Sequence, residues 1–221
     1  MDSYGFLKVA AAIPHVQVGD CTTNAEHIVA LAEQAAQRGV EIIVFPELAV
    51  TGYTCGDLFL QPTLLDAADD ALAEIAKASR KLPLTFIVGA PLRHGSTPYN
   101  CATLIAQGRI LGVVPKTYIP NYAEFYEARW FASGAGIADE TVRVAGQAAD
   151  FGAGLTFEVN GAEFGVEICE DLWVAVPPSS HLAQNGAKVI FNLSASPEGV
   201  GKYAYLRQLV AQQSARTHAA Y

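Results

Sequence analysis

Three short apolar runs in this chain each end on a residue able to do chemistry. Residues 41–45 (EIIVF) lead through Pro46 to Glu47, residues 110–115 (ILGVVP) lead to Lys116, and residues 164–168 (FGVEI) run straight into Cys169. Short unbroken runs rich in Ile and Val read as strands buried on both faces. Such strands need a covering layer on each side, which points to layered α/β architecture. Ligands of α/β sheets bind where strands exit, so the feature that restricts the fold also marks where a site would form.

The segments between these runs fit that reading. Residues 7–13 (LKVAAAI) make a first strand. Asp20 or Thr22 can cap a helix carrying Ile28, Leu31, Ala32 and Ala35 on one side, and Arg38-Gly39 closes it. With residues 41–45 this is a β-α-β unit, which implies a parallel or mixed sheet. A second helix is expected over residues 63–79 and a strand over 85–90. A hairpin follows around Gln107-Gly108, and another around Asn160-Gly161. Residues 188–193 form a strand, and residues 201–218 a last helix with Leu206, Leu209, Val210 and Ala215 on its apolar stripe. From Lys116 to Gly136 periodicity stops in a stretch rich in Tyr, Phe and Trp, and a long loop of this kind inside a compact domain is more often functional than idle.

Composition excludes several functions. The 221 residues suit one domain, 51% hydrophobic and 16% charged, with a net charge of −8 and no Lys/Arg cluster. A nucleic-acid binder needs a basic footprint, so no nucleic-acid partner is expected. No apolar run approaches the roughly 20 residues that span a bilayer. Residues 1–8 lack a basic segment followed by an apolar one, so a cytoplasmic protein with no leader is expected. Cys21, Cys55, Cys101 and Cys169 are far apart, and the five histidines form no ligand motif, so no metal site is expected. Most of the cysteines should be small buried hydrophobes.

Taken singly, a Glu or Lys after a strand is ordinarily a solvated loop residue, and a Cys there ordinarily packs. Their combination makes chemical sense. A thiol of ordinary pKa about 8.5 is mostly protonated near neutrality, and a carboxylate within reach can take its proton. An ammonium favours the thiolate and can stabilise an oxyanion, with the backbone N–H of Glu170 as a second donor. Attack on an amide gives a thioester and releases an amine or ammonia, and water then frees the acid.

FPELAVTGYTCGDL, GVVPKTYIPNYAEFYEARWFASG and GVEICEDLWVAVPPS together resemble the three signature regions of the carbon–nitrogen hydrolase (nitrilase) superfamily. APLRHGSTPYN, CEDLW and NLSASPEGVGK further resemble its branch of N-terminal glutaminase domains from glutamine-dependent NAD synthetases. The likeness runs from the first strand to the last residue. It implies a four-layer α-β-β-α sandwich over residues 1–221 and a catalytic triad of Glu47, Lys116 and Cys169. It implies an accessory glutamate, best matched by Glu127 with Glu124 as the alternative. It further implies L-glutamine held by Tyr122, Ser196 and Lys202, with Trp173 lining the pocket. ATP and Mg are expected only in a synthetase domain, which this sequence lacks together with the last strands of the hydrolase domain. A homo-oligomer is expected, and an exposed sheet edge where strands are missing. Three competing readings remain: a stand-alone amidase or carbamoylase, a non-catalytic assembly domain, and, more weakly, a papain-like Cys-His hydrolase.

Overall fold

The computed structural model describes residues 5–221; residues 1–4, part of the segment read above for a leader, lie outside the described residues. Among the described residues, ten strands form two sheets. The first runs β1 (Val9–Ala11), β2 (Ile42–Val44), β3 (Thr85–His94), β4 (Thr97–Ala106), β5 (Arg109–Pro115), β7 (Gln147–Phe151), β6 (Glu140–Val144) in spatial order. The second is β10 (Val189–Leu193), β9 (Ala162–Ile168), β8 (Thr156–Val159). β1, β2 and β3 pair in parallel, as the β-α-β reading requires, and β9 and β10 are also parallel.

Three apolar clusters separate four layers. Ile28, Ala32, Leu72 and Ile75 pack the helices α1 (Cys21–Gln37) and α2 (Pro62–Ser79) onto Ile43, Phe86 and Val88 of the first sheet. Ile42, Ile87, Ala102 and Leu104 on its other face meet Phe164, Val166, Ile168 and Phe191 of the second. Leu182 of α3 (Pro178–Gln184) then packs on Ile190 from the outside. The expected α-β-β-α sandwich is what forms. It follows from strands with no polar face: successive residues of β2 and β3 alternate between helix and sheet contacts, and both are apolar.

Local chemistry sets the boundaries. Asp20, not Thr22, caps α1 and accepts the Thr23 N–H at 3.1 Å. Pro62 opens α2, where its missing N–H costs nothing. The hairpin turns Gln107-Gly108 and Asn160-Gly161 both have positive φ at each residue, as a two-residue turn between twisted strands demands.

Two features differ from expectation. The β6–β7 hairpin was not anticipated: its turn is Ala145-Gly146, with the same double positive φ but an alanine where Asn or Asp would signal it. The last helix, α4 (Lys202–Thr217), buries only Gln213; Leu206, Leu209 and Val210 are half-buried and Ala215 is exposed. The stripe is not core because α4 packs on α3 and on the turn after Cys169 instead of on a sheet. Among the described residues the outer edge of β10 is met by a single bridge, Val189 to Ala220.

Candidate active site

The three strand exits converge. The chain leaves β2 through Pro46, and Glu47 precedes a left-handed residue, Leu48 (φ 53°), which turns the backbone sharply. Lys116 leaves β5 with its N–H on Asn100 O at 2.8 Å. Its ammonium donates to Glu47 Oε1 at 2.7 Å and to both Glu127 oxygens at 2.8 and 3.0 Å. All three side chains are buried. Of the two candidate glutamates, Glu127, in a short 3-10 turn, is the one that reaches Lys116; Glu124 lines a cavity instead.

Cys169 stands at the exit of β9 as the first residue of the 3-10 turn Cys169–Trp173. Its φ of 48° is left-handed, an uncommon state for a residue with a Cβ. Asp171 holds the bend. Its carboxylate accepts the N–H groups of Ile168 (2.9 Å), Thr117 (3.1 Å) and Tyr118 (2.7 Å), so one side chain ties the segment after Lys116 to the segment before Cys169.

Burial alone would drive the Lys116 ammonium down, but Glu47, Cys169 and Glu127 together carry it above the ordinary lysine value. Glu47 is raised because burial outweighs the pull of Lys116, and Glu127 adds to the rise. A carboxyl shifted toward neutrality is a stronger base than an ordinary one. Burial, then Glu47, pushes the Cys169 thiol up to about 12 against the pull of Lys116. Lys116 favours the thiolate, but burial outweighs it, so a base has to take the thiol proton during attack.

The remaining expected residues form two pairs. The Tyr122 hydroxyl donates to Glu170 at 3.0 Å. Lys202 donates to Ser196 Oγ at 2.6 Å and lies 5.5 Å from the Trp173 ring, which stacks on Tyr205. A cavity of about 600 Å³ is lined by Pro46, Tyr53, Glu124, Phe125 and Ser194 to Pro197. Of the expected substrate contacts, Ser196 lines it; Tyr122, Glu170, Trp173 and Lys202 do not.

Some site residues carried no sequence signal of their own. Tyr53 donates to Glu127 Oε1 at 2.6 Å, Asn100 donates to Glu47 Oε1 at 2.7 Å, and the Ala195 N–H donates to Glu47 Oε2 at 3.0 Å. Both side chains fall inside the motif segments FPELAVTGYTCGDL and APLRHGSTPYN, which is the signal that could have found them. Among the described residues no group of three or more His, Cys, Asp or Glu side chains could hold a metal ion, and no helix is long and apolar enough to cross a membrane.

A carbon-nitrogen hydrolase family profile matches residues 8–221. The chain is 43% identical over 221 residues to the glutamine-dependent NAD(+) synthetase of Mycobacterium tuberculosis, covering 99% of this chain and 32% of that protein. It is 35% identical to the synthetase of Xylella fastidiosa, covering 97% and 36%. It thus spans about a third of the length of these relatives. The crystal structure of the Cytophaga hutchinsonii glutamine-dependent NAD(+) synthetase superposes with a TM-score of 0.85 at 30% identity, over 96% of this chain and 34% of that one. An amidase of the nitrilase superfamily from Nesterenkonia superposes at 0.76 with 16% identity, over 96% and 73%, a likeness of fold alone.

Proposed function

The chain belongs to the carbon–nitrogen hydrolase family, and from that premise we propose that it hydrolyses L-glutamine to glutamate and ammonia through a thioester on Cys169. The observation that carries this reading is the buried Lys116 ammonium held between Glu47 and Glu127 beside a buried thiol. Glu47 takes the thiol proton as sulfur attacks the side-chain carbonyl. The oxyanion forms against the Lys116 ammonium and the Glu170 N–H. Protonated Glu47 then gives its proton to the departing nitrogen, and ammonia leaves. Water, deprotonated by Glu47, opens the thioester, and the proton returns to sulfur.

Glu127 keeps Lys116 charged and in place throughout; it does not touch the reacting atoms. The choice of glutamine is supported by the chemistry of the expected contacts, of which Ser196 alone lines the cavity. Lys202 with Ser196 suits a carboxylate, Glu170 with Tyr122 suits an ammonium, and Trp173 gives an apolar wall. The glutamine-dependent synthetases it resembles point the same way. Ammonia released here would feed ATP- and Mg-dependent amidation of nicotinic acid adenine dinucleotide on a synthetase region outside this sequence, and the chain would act as a homo-oligomer.

The test is covalent labelling with a diazoketone analogue of glutamine, mapped by mass spectrometry beside ammonia release. One adduct on Cys169 and loss of both signals in Cys169→Ala are expected. Undiminished glutamine hydrolysis in Cys169→Ala would overturn the mechanism. Turnover of simple aliphatic amides without glutamine turnover would move the reading to a stand-alone amidase.

A further inference from the structure

Behind the nucleophile lies a chain of hydrogen bonds that the mechanism above does not use. Glu167 is fully buried two residues before Cys169, and among the described residues no cation pairs with it. Its Oε2 accepts the Ser179 N–H at 2.8 Å, and its Oε1 accepts the Tyr221 hydroxyl. The Tyr221 oxygen accepts Asn192 Nδ2 at 3.0 Å. Asn192 Oδ1 in turn accepts the backbone N–H of Cys169 at 3.1 Å and the Ser194 hydroxyl at 3.3 Å.

Every link has a direction, and each direction is set by the link before it. A carboxylate can only accept, so Tyr221 must donate to Glu167. Burial, and then the Glu167 charge, keep the phenol protonated. The Tyr221 oxygen therefore needs a donor, which fixes the Asn192 amide with its nitrogen toward Tyr221 and its oxygen toward Cys169. A flipped amide would set donor against donor at the Cys169 N–H. The backbone of that residue is left-handed at φ 48°, a state that persists only where its surroundings impose it.

Tyr221 is itself held from two sides. Left-handed His218 ends α4, and Ala220 then pairs with β10, its N–H on Lys188 O at 2.9 Å and its carbonyl accepting from Ile190 at 2.8 Å.

We propose that Tyr221, acting through Asn192, is a positioning residue for the nucleophile, holding the Cys169 backbone in the conformation that aims its sulfur at Glu47 and the substrate. The inference rests on Cys169 being the nucleophile, not on the identity of the amide. Tyr221 touches neither substrate nor the reacting atoms.

The experiment compares the unaltered chain with Tyr221→Phe, Asn192→Ala and the double variant. Two quantities are read: the rate of iodoacetamide labelling at each cysteine by mass spectrometry, and glutamine turnover. Each single variant is expected to slow Cys169 labelling and kcat by about five- to tenfold, the weight of one hydrogen bond, with KM within about twofold. The double variant is expected to be no slower than Asn192→Ala, because both changes cut one chain. Glu167→Gln supplies a second arm should Tyr221→Phe fail to fold. Its single oxygen cannot serve both the Ser179 N–H and the Tyr221 hydroxyl, and Cys169 labelling is expected to fall several-fold. Labelling of Cys169 at the unaltered rate in Tyr221→Phe would overturn the proposal. So would independent, multiplying effects in the double variant, or a matching rise in labelling at Cys21, Cys55 and Cys101, which would mean general loosening. If the unaltered chain labels as expected but hydrolyses no glutamine, the glutamine reading fails and the relay stands.

Discussion

Gly89 has no room for a side chain. A Cβ there would lie 2.3 Å from Pro46 O, 2.5 Å from Leu48 N and 2.9 Å from the Glu47 carbonyl carbon, so β3 backbone lies directly against the turn that presents Glu47. These neighbours are backbone and cannot swing aside. Gly89→Ala must therefore displace Glu47 from its 2.7 Å contact with Lys116. We expect kcat to fall on the order of 10²-fold, as for an ångström-scale misplacement, with a stability loss of about 1–3 kcal/mol. Ammonia release and a urea titration measure the two. Asp171 gives a second prediction. Burial, opposed by its backbone donors, lifts its carboxyl to about 7. Only the ionised form offers acceptor oxygens to all three N–H groups, so kcat should decline as pH falls through about 7. Asp171→Asn, which cannot ionise, should sit about tenfold below and lack that limb in a pH–rate profile. Glu47, Lys116 and Cys169 were legible because each interrupts an apolar run. Tyr53 and Asn100 were not, because a hydroxyl or amide serving a carboxylate 74 or 53 positions away leaves no local pattern. Asp171 reaches Thr117 across 54 positions and leaves no local pattern either.

At the scale of elements, what could be read depended on whether the local rule and the tertiary setting agreed. α1 and α2 were readable because their apolar stripes face a sheet. α4 has a comparable stripe but packs on α3, so its periodicity promised burial that no sheet supplies. The β6–β7 hairpin shows the opposite failure: the tertiary setting imposes a turn that local chemistry opposes. Ala145 holds φ at 51° in the position where such turns take Asn, Asp or Gly, while the Ala145 N–H is anchored by Asp69 Oδ1 at 2.7 Å. Ala145→Asn keeps that N–H and suits the left-handed backbone. It should stabilise the chain by about 0.5–1 kcal/mol, raising the urea midpoint. Glutamine turnover should not change, since this turn lies outside the site. A lowered midpoint would show that the turn is not strained by its alanine.

Across the whole molecule, the four thiols give folding a common pH dependence. All four are free and buried. Burial raises Cys21 to about 11, Cys169 to about 12, Cys101 well above its ordinary value, and Cys55 as well. An unfolded chain releases these protons near pH about 8.5, whereas the folded chain keeps them. Above that pH the native state binds more protons than the unfolded state, so stability must fall as pH rises. The contribution is fully present below about 8.5 and is lost progressively toward the folded values. Asp171 acts with the same sign lower down: its folded value of about 7 lies above the ordinary 3.8, so it favours folding most at acidic pH and less as pH rises through that window. The two effects have the same sign, and each lowers stability as pH rises through its own window. Urea midpoints measured under reducing conditions should drop steadily between pH 7.5 and pH 10. Cys101→Ala should make that slope shallower, because it removes a thiol that sits at the centre of the first sheet and takes no part in the chemistry. A midpoint that stays flat to pH 10 would mean that the thiols ionise in place, without the burial penalty that raises them.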